Sequence, residues 1–220
     1  MIILMHGVRG CRLDMLPRAR FLHDAGYSVL LFDFQAHGES PGKNITFGYL
    51  ESRDSAAVVE FARQKFPSQK IAVVGGSLGG AAAVLATPPL PVDAMVLEMV
   101  YPTINQAIAA RMKIKLGRFG VVFTPLLTCQ FKPRLGFSTD DLRPIDKVKA
   151  VTVSKLFIAG DKDQHTPSSE AKELFNAAAE PKQFWEVKDA AHVDLHAFDR
   201  EQYEKRILDF LEENLAPVVN

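Results

Sequence analysis

Gly75-Gly76-Ser77-Leu78-Gly79 reads G-x-S-x-G within the stretch VVGGSLGGAAA. A serine hydroxyl is a weak nucleophile until a base removes its proton. A sharp turn from strand to helix lifts such a hydroxyl clear of the fold, and small neighbours let the two elements approach. KIAVVG before the turn reads as a strand and AAAVLA after it as a helix. Close packing of helix on sheet would explain the glycines alone. A phosphate-binding turn fits less well, because no G-x-G-x-x-G and no Lys-Ser/Thr pair is present.

A general base needs a partner that holds its tautomer and stabilises its charged form. After a nucleophile of this kind, the acid and then the histidine follow along the chain. LFIAGDKDQHTP places two carboxylates directly after an apolar run. Asp163 is the preferred acid, with Asp161 as the alternative and Glu98 as a third candidate. Ordinary turn chemistry also places Asp residues there. FWEVKDAAHVDLH puts His192 directly after the last strand-like run, which makes it the candidate base. His196 reads as a solvated or capping residue. A base of this type fails when protonated, so activity should fall on acidification. Charge on a tetrahedral intermediate needs preorganised N–H donors. The candidates are the backbone amides of Leu78, which follows the serine, and of Val8 in the loop HGVRG.

Short apolar runs alternate with helical patterns along the chain. The strand-like runs are Ile2–His6, Ser28–Phe34, Lys70–Gly75, Val92–Val100, Lys155–Gly160 and Gln183–Lys188. They are nearly continuous apolar stretches, as in strands buried on both faces of a parallel sheet. Helical spacing marks Asp14–Ala25, Tyr49–Phe66, Leu78–Ala86, Ser168–Ala179 and Asp199–Leu215. This alternation predicts an α/β fold, a mostly parallel sheet sandwiched by helices. Residues 102–150 break the rhythm. They read as a lid or cap insertion within one domain, whose core halves are residues 1–101 and 151–220. An extra pair of helices at the sheet edge is the plainer reading. Arg111, Lys113, Lys115 and Arg118 in the insertion read as a solvated face that disfavours a cationic substrate. Phe119, Val121, Val122, Phe123, Leu126, Leu127 and Phe131 read as lid core or as the lining of an acyl pocket.

The bulk composition excludes several classes. Of 220 residues, 26 are Lys or Arg and 26 are Asp or Glu, so the formal net charge is zero. That balance gives no sign of a nucleic-acid or acidic-membrane partner. No apolar run is long enough to span a bilayer. Cys11 and Cys129 stand far apart and read as buried or incidental thiols. No metal-ligand spacing is present, so neither a metal nor an organic cofactor is expected, and the oligomeric state stays open. MIILMHGVRG lacks the basic start of a leader and reads as a core strand, which points to the cytoplasm.

Taken together, HGVRG, VLLFDFQAHGESPG, VVGGSLGG, LRPIDKV, KLFIAGDKDQHTP and AAHVDL resemble the α/β-hydrolase superfamily. The similarity runs over nearly the whole chain. It is nearest to small lidded serine hydrolases of the carboxylesterase and serine aminopeptidase kind. The resemblance implies Ser77 as nucleophile, Asp163 as acid and His192 as base, and a structural role for His37. Such proteins commonly have one or two strands before the HG loop, so an exposed edge or a missing segment is expected here. HG lacks the second glycine or short aromatic of the lipase type. The expected activity is hydrolysis of short-to-medium carboxylic esters on a small molecule. An aminopeptidase, thioesterase or acyltransferase would use the same residues, and a non-catalytic binding protein is a third class.

Overall fold

The apolar runs all become strands. In the computed structural model, which describes residues 1–215, β1 (Ile2–Met5), β2 (Val29–Leu31), β3 (Ala72–Gly76), β4 (Ala94–Glu98), β5 (Ser154–Gly160) and β6 (Lys182–Val187) form one sheet. Its order is β2-β1-β3-β4-β5-β6, and every neighbouring pair is parallel. β1 is therefore interior, and the described sheet has its edges at β2 and β6.

The helices are α1 (Leu16–Asp24), α2 (Glu51–Lys65), α3 (Leu78–Leu85), α4 (Ile104–Leu116), α5 (Thr124–Thr128), α6 (Phe131–Leu135), α7 (Pro144–Lys147), α8 (Ser168–Ala177), α9 (Leu195–Phe198) and α10 (Arg200–Leu215). Alternate strand residues face opposite sides. Ile3, Met5, Val73, Met95, Leu97 and Phe157 pack toward α2, α3 and α8. Ile2, Leu4, Val74, Val96, Leu156 and Ile158 pack toward α1 and α10. Burial on both faces is why these strands read as unbroken apolar runs.

β2 is shorter than its sequence run. It is an edge strand, and the chain turns away at Asp33, which is buried. The Asp33 carboxylate accepts from the Arg12 backbone at 2.6 Å, from the Glu39 backbone at 3.0 Å and from the Arg12 guanidinium. Burial pushes this carboxyl up, but those donors outweigh it and hold the group below its ordinary value.

Residues 102–150 differ from a simple helix pair. α4 is the one long helix, followed by the 3-10 stretch Arg118–Phe123, the short α5 and α6, and the turns around α7. The two ends of the segment are tied to each other by Ile104 N–H to Leu142 O at 3.0 Å and Ile145 N–H to Pro102 O at 3.0 Å. Gln106 reaches across to Glu173 on α8 at 2.8 Å. Both cysteines are free thiols, with Cys11 half-buried and Cys129 exposed rather than buried. No helix among the described residues is long and apolar enough to cross a membrane.

Candidate active site

The glycines around Ser77 answer a steric demand. A Cβ on Gly79 would sit 2.3 Å from Met5 O and 2.8 Å from His6 O. One on Gly80 would sit 2.4 Å from the Val100 side chain and 2.7 Å from Gly75 O. So α3 presses its first turn directly against the ends of β1 and β3. Ser77 bridges β3 and α3 with φ 49° and ψ −107°, a conformation L-residues rarely adopt. Its N–H donates to Glu98 O at 2.7 Å, which anchors the turn to β4.

Strain of this sort is concentrated at one edge. Positive φ also occurs at Arg9, Ala36, Met99 and Asp189, in the segments that follow β1, β2, β4 and β6. These are the carboxyl ends of the strands, where ligands bind in open α/β sheets.

Asp163 follows β5 and is buried, whereas Asp161 is exposed. Asp163 Oδ1 accepts from the backbone N–H groups of His165 at 2.7 Å and Thr166 at 2.9 Å. Its other oxygen, Oδ2, lies 2.7 Å from His192 Nδ1. With Nδ1–H donating to the carboxylate, the Nε2 lone pair is left for a proton from elsewhere. Among the described residues no hydrogen bond joins Ser77 Oγ to His192. Contacts of this kind often tighten only when substrate is bound.

The loop after β1 comes to the same edge, since Met5 pairs with Gly75 and Gly79 packs on His6. His6 is fully buried. Its Nε2 accepts from Phe34 N–H at 3.1 Å, and Nδ1 donates to Gly7 O at 2.8 Å. Burial pushes its ring toward the neutral form. His6 thereby shapes the loop that carries Val8. Leu78 opens α3, so its N–H precedes the helix ladder and lacks an intrahelical acceptor.

The remaining candidates go elsewhere. Glu98 is buried, but it faces Arg18 at 3.0 Å and the Tyr203 hydroxyl instead of His192. His37 is buried on His6, with its Nδ1 on Gln35 O at 2.8 Å. His196 is not solvated. It stacks on Phe21 at 5.2 Å, and its Nε2 meets Glu204 at 2.9 Å. Four residues on from a strand-end histidine, α9 turns its ring inward.

Three nearby residues carried no recognisable spacing. The His165 ring lies 5.2 Å from that of His192. Arg111 on α4 is half-buried, spends one donor on Ala107 O at 3.0 Å, and its charge acts on Asp163 and His165. Glu170 shares a cavity of about 650 Å³ with Ala110, Ile114, Val121, Asp163 and Pro167. Asp163 is the candidate triad member on that wall. Glu170 Oε2 is buried without a hydrogen-bond partner. Burial, with the charges of Glu173 and Asp163, pushes this carboxyl up to about 7.

The raised Glu170 has a definite sign in stability. From pH 4.5 to 7 the unfolded chain loses this proton while the fold retains it, so stability falls as pH rises. Above pH 7 the folded carboxyl ionises too, and the loss is complete. Glu170→Gln is neutral throughout. It should match the parent near pH 4 and exceed it at pH 8. Solvent screening of the half-exposed group leaves about 1 kcal/mol, or roughly 2–4 °C in Tm. Thermal melts at the two pH values check this; an equal gap at both would count against the raised carboxyl.

Comparison with known proteins places this geometry in context. A family model described as serine aminopeptidase S33 matches residues 1–141. The Bacillus subtilis protein YqkD is 25% identical over 215 residues, covering 96% of this chain and 70% of its own length. The Mycobacterium tuberculosis protein Rv2307c is 29% identical over 198 residues, and the match covers 90% of this chain and 64% of that protein. The esterase Pf2001 of Pyrococcus furiosus superposes with a TM-score of 0.78 at 26% identity, covering 98% of this chain and 83% of that one.

Proposed function

We propose, because the chain belongs to the serine aminopeptidase S33 family of α/β-hydrolases, that it hydrolyses carboxylic esters through an acyl-enzyme on Ser77. The observation that carries this reading is the 2.7 Å contact of His192 Nδ1 with the buried Asp163, at the strand edge that also presents Ser77. His192 Nε2 takes the Ser77 proton as Oγ attacks the ester carbonyl. The Val8 and Leu78 N–H groups receive the developing oxyanion. His192 then returns the proton to the leaving alkoxide. Water enters by the same path reversed and frees Ser77. Residues 102–150 act as a lid, with α4 over the Asp163 side. Similarity to an esterase structure supports the choice of ester over amide.

One observation favours a second reading. Glu170 stands on the cavity wall, where an aminopeptidase would need an acid for the substrate ammonium. Its raised pKa makes it a weak counter-ion at neutral pH, and the lid cations oppose a cationic substrate. The ester reading is therefore preferred.

The deciding experiment is a panel of nitrophenyl esters from acetate to palmitate beside an aminoacyl nitroanilide. Each methylene that fits the pocket adds up to about 0.8 kcal/mol, roughly four-fold in kcat/KM. Activity should climb from acetate to butyrate or hexanoate and then decline. A chelator should leave it unchanged, since nucleophile, base and two amides suffice. Fastest turnover of the anilide would establish the aminopeptidase reading instead, and fastest turnover of palmitate would remove the short-chain preference.

A further inference from the structure

Zero net charge conceals a segregation. Residues 104–138 contain six cations, Arg111, Lys113, Lys115, Arg118, Lys132 and Arg134, and no Asp or Glu. All but Arg111 are exposed, and among the described residues none of the six forms an ion pair. The same segment breaks the usual distribution of apolar side chains. Eight of the fourteen exposed large hydrophobics among the described residues lie between Ile114 and Leu127. Phe119 is 84% exposed, Val122 75% and Leu126 61%, so these three are not the lid core or acyl-pocket lining expected from the sequence.

The outward aim of these side chains is built in. Gly117 turns the chain back at φ 67° after α4. A Cβ on Gly120 would stand 2.2 Å from Met112 O and 2.9 Å from the Leu116 side chain. The 3-10 stretch Arg118–Phe123 is therefore laid flat on α4 through its glycine, with Phe119 and Val122 on the far side. An apolar patch of this kind ordinarily marks an interaction site. Within residues 104–138 every charged side chain is a cation.

We propose that the outer face of residues 114–134 docks on an anionic phospholipid surface. Charge complementarity selects this occupant. Cations flanking exposed aromatic and aliphatic side chains are the pattern of interfacial binding, in which apolar groups enter the headgroup boundary and Lys and Arg meet lipid phosphates. A second copy of the chain would bring the same positive charge against itself. The docked face continues into the cavity beside Asp163, because Lys113, Ile114 and Val121 line that cavity. An ester dissolved in the lipid surface would thus meet the cavity without crossing bulk water. Binding does not require turnover, so this inference stands or falls separately from the ester reading.

The test is co-sedimentation of the full chain with vesicles of phosphatidylcholine alone, and of phosphatidylcholine mixed equally with phosphatidylglycerol. Binding is expected to the mixed vesicles, weakening as salt is raised. Lys115→Gln and Arg118→Gln should each weaken it roughly five-fold, the equivalent of about 1 kcal/mol. Phe119→Ser should weaken it roughly tenfold, the gain from burying such a ring. All three should keep the parent melting temperature and the parent rate on a soluble ester. Phe119→Trp should shift its emission to the blue on the mixed vesicles. Failure to sediment with mixed vesicles, or equal binding by parent and variants, would overturn the proposal. So would a concentration-dependent dimer abolished by Phe119→Ser, which assigns the face to a second copy. Capture by polyglutamate that survives Phe119→Ser would equally overturn it in favour of an acidic protein.

Discussion

Ser77→Ala should lower ester hydrolysis by about 10⁴- to 10⁶-fold, the range seen when a nucleophile that acts as a unit with its base is removed. The fold should be untouched. Ala at φ 49° carries the same backbone strain as Ser, so no new cost arises. The Ser77 N–H bond to Glu98 O is main-chain and survives. The hydroxyl itself makes no hydrogen bond to another described residue, so none is stranded. His192→Ala should bring a comparable loss of rate. His196→Ala should do the opposite, sparing the rate and lowering Tm, because that ring fills the space between Phe21 and Glu204. Steady-state rates with matched melting curves decide the matter. Near-parental turnover by the Ser77 variant would remove the serine from the mechanism.

Arg18→Leu should cost about 3–5 kcal/mol, the largest loss of stability expected from a single charge in this protein. Side-chain exposure is 6% for Arg18 and 2% for Glu98, so water cannot replace a missing partner. Arg18 binds Glu98 at 3.0 Å, the Tyr203 hydroxyl at 3.0 Å and Asp194 at 2.8 Å. Burial opposes its charge, yet Glu98, Tyr203 and Asp194 together hold it firmly cationic. Burial and the Glu98 charge keep Tyr203 protonated, so its hydroxyl donates to Glu98. Leucine in place of Arg18 leaves the Glu98 carboxylate buried with one hydroxyl donor. The melting temperature should fall by roughly 6–20 °C. Arg18→Leu combined with Glu98→Leu should recover most of that loss, since the stranded charge is gone. Failure of the double variant to recover would assign the cost to packing instead. The cluster has a second consequence. Asp194 lies two residues after His192 and caps α9, so Arg18 tethers the His192 loop to α1.

Much of the architecture was legible because it rests on local pattern. Continuous apolar runs mark strands covered on both faces, and the runs at Ile2, Lys70, Val92, Lys155 and Gln183 all enter the sheet close to their expected bounds. The G-x-S-x-G turn was legible for a similar reason. Its glycines answer to atoms that the adjoining strands must bring near, so the requirement is written within a few residues. Other outcomes depend on partners far away in the chain. The run at Ser28–Phe34 keeps only three residues as strand because Arg12 draws Asp33 into a turn. Asp163, not Asp161, faces His192 because β5 and β6 are neighbours and the loop backbone buries one carboxylate and exposes the other.

By itself, then, the sequence determined the order of elements, the parallel sheet and the place of the serine turn, all set by short-range periodicity and sterics. The sequence preferred Asp163 and His192 but left Asp161 and Glu98 open; the tertiary structure brought Asp163 against His192 and made His196 a packed ring. It alone joined Arg18, Glu98, Asp194 and Tyr203, residues up to 185 positions apart. It also separated the charge of a neutral chain into a basic, apolar face on the insertion. Composition averages over the whole chain, whereas electrostatics and burial act over a few ångströms and are settled only when distant segments are brought together.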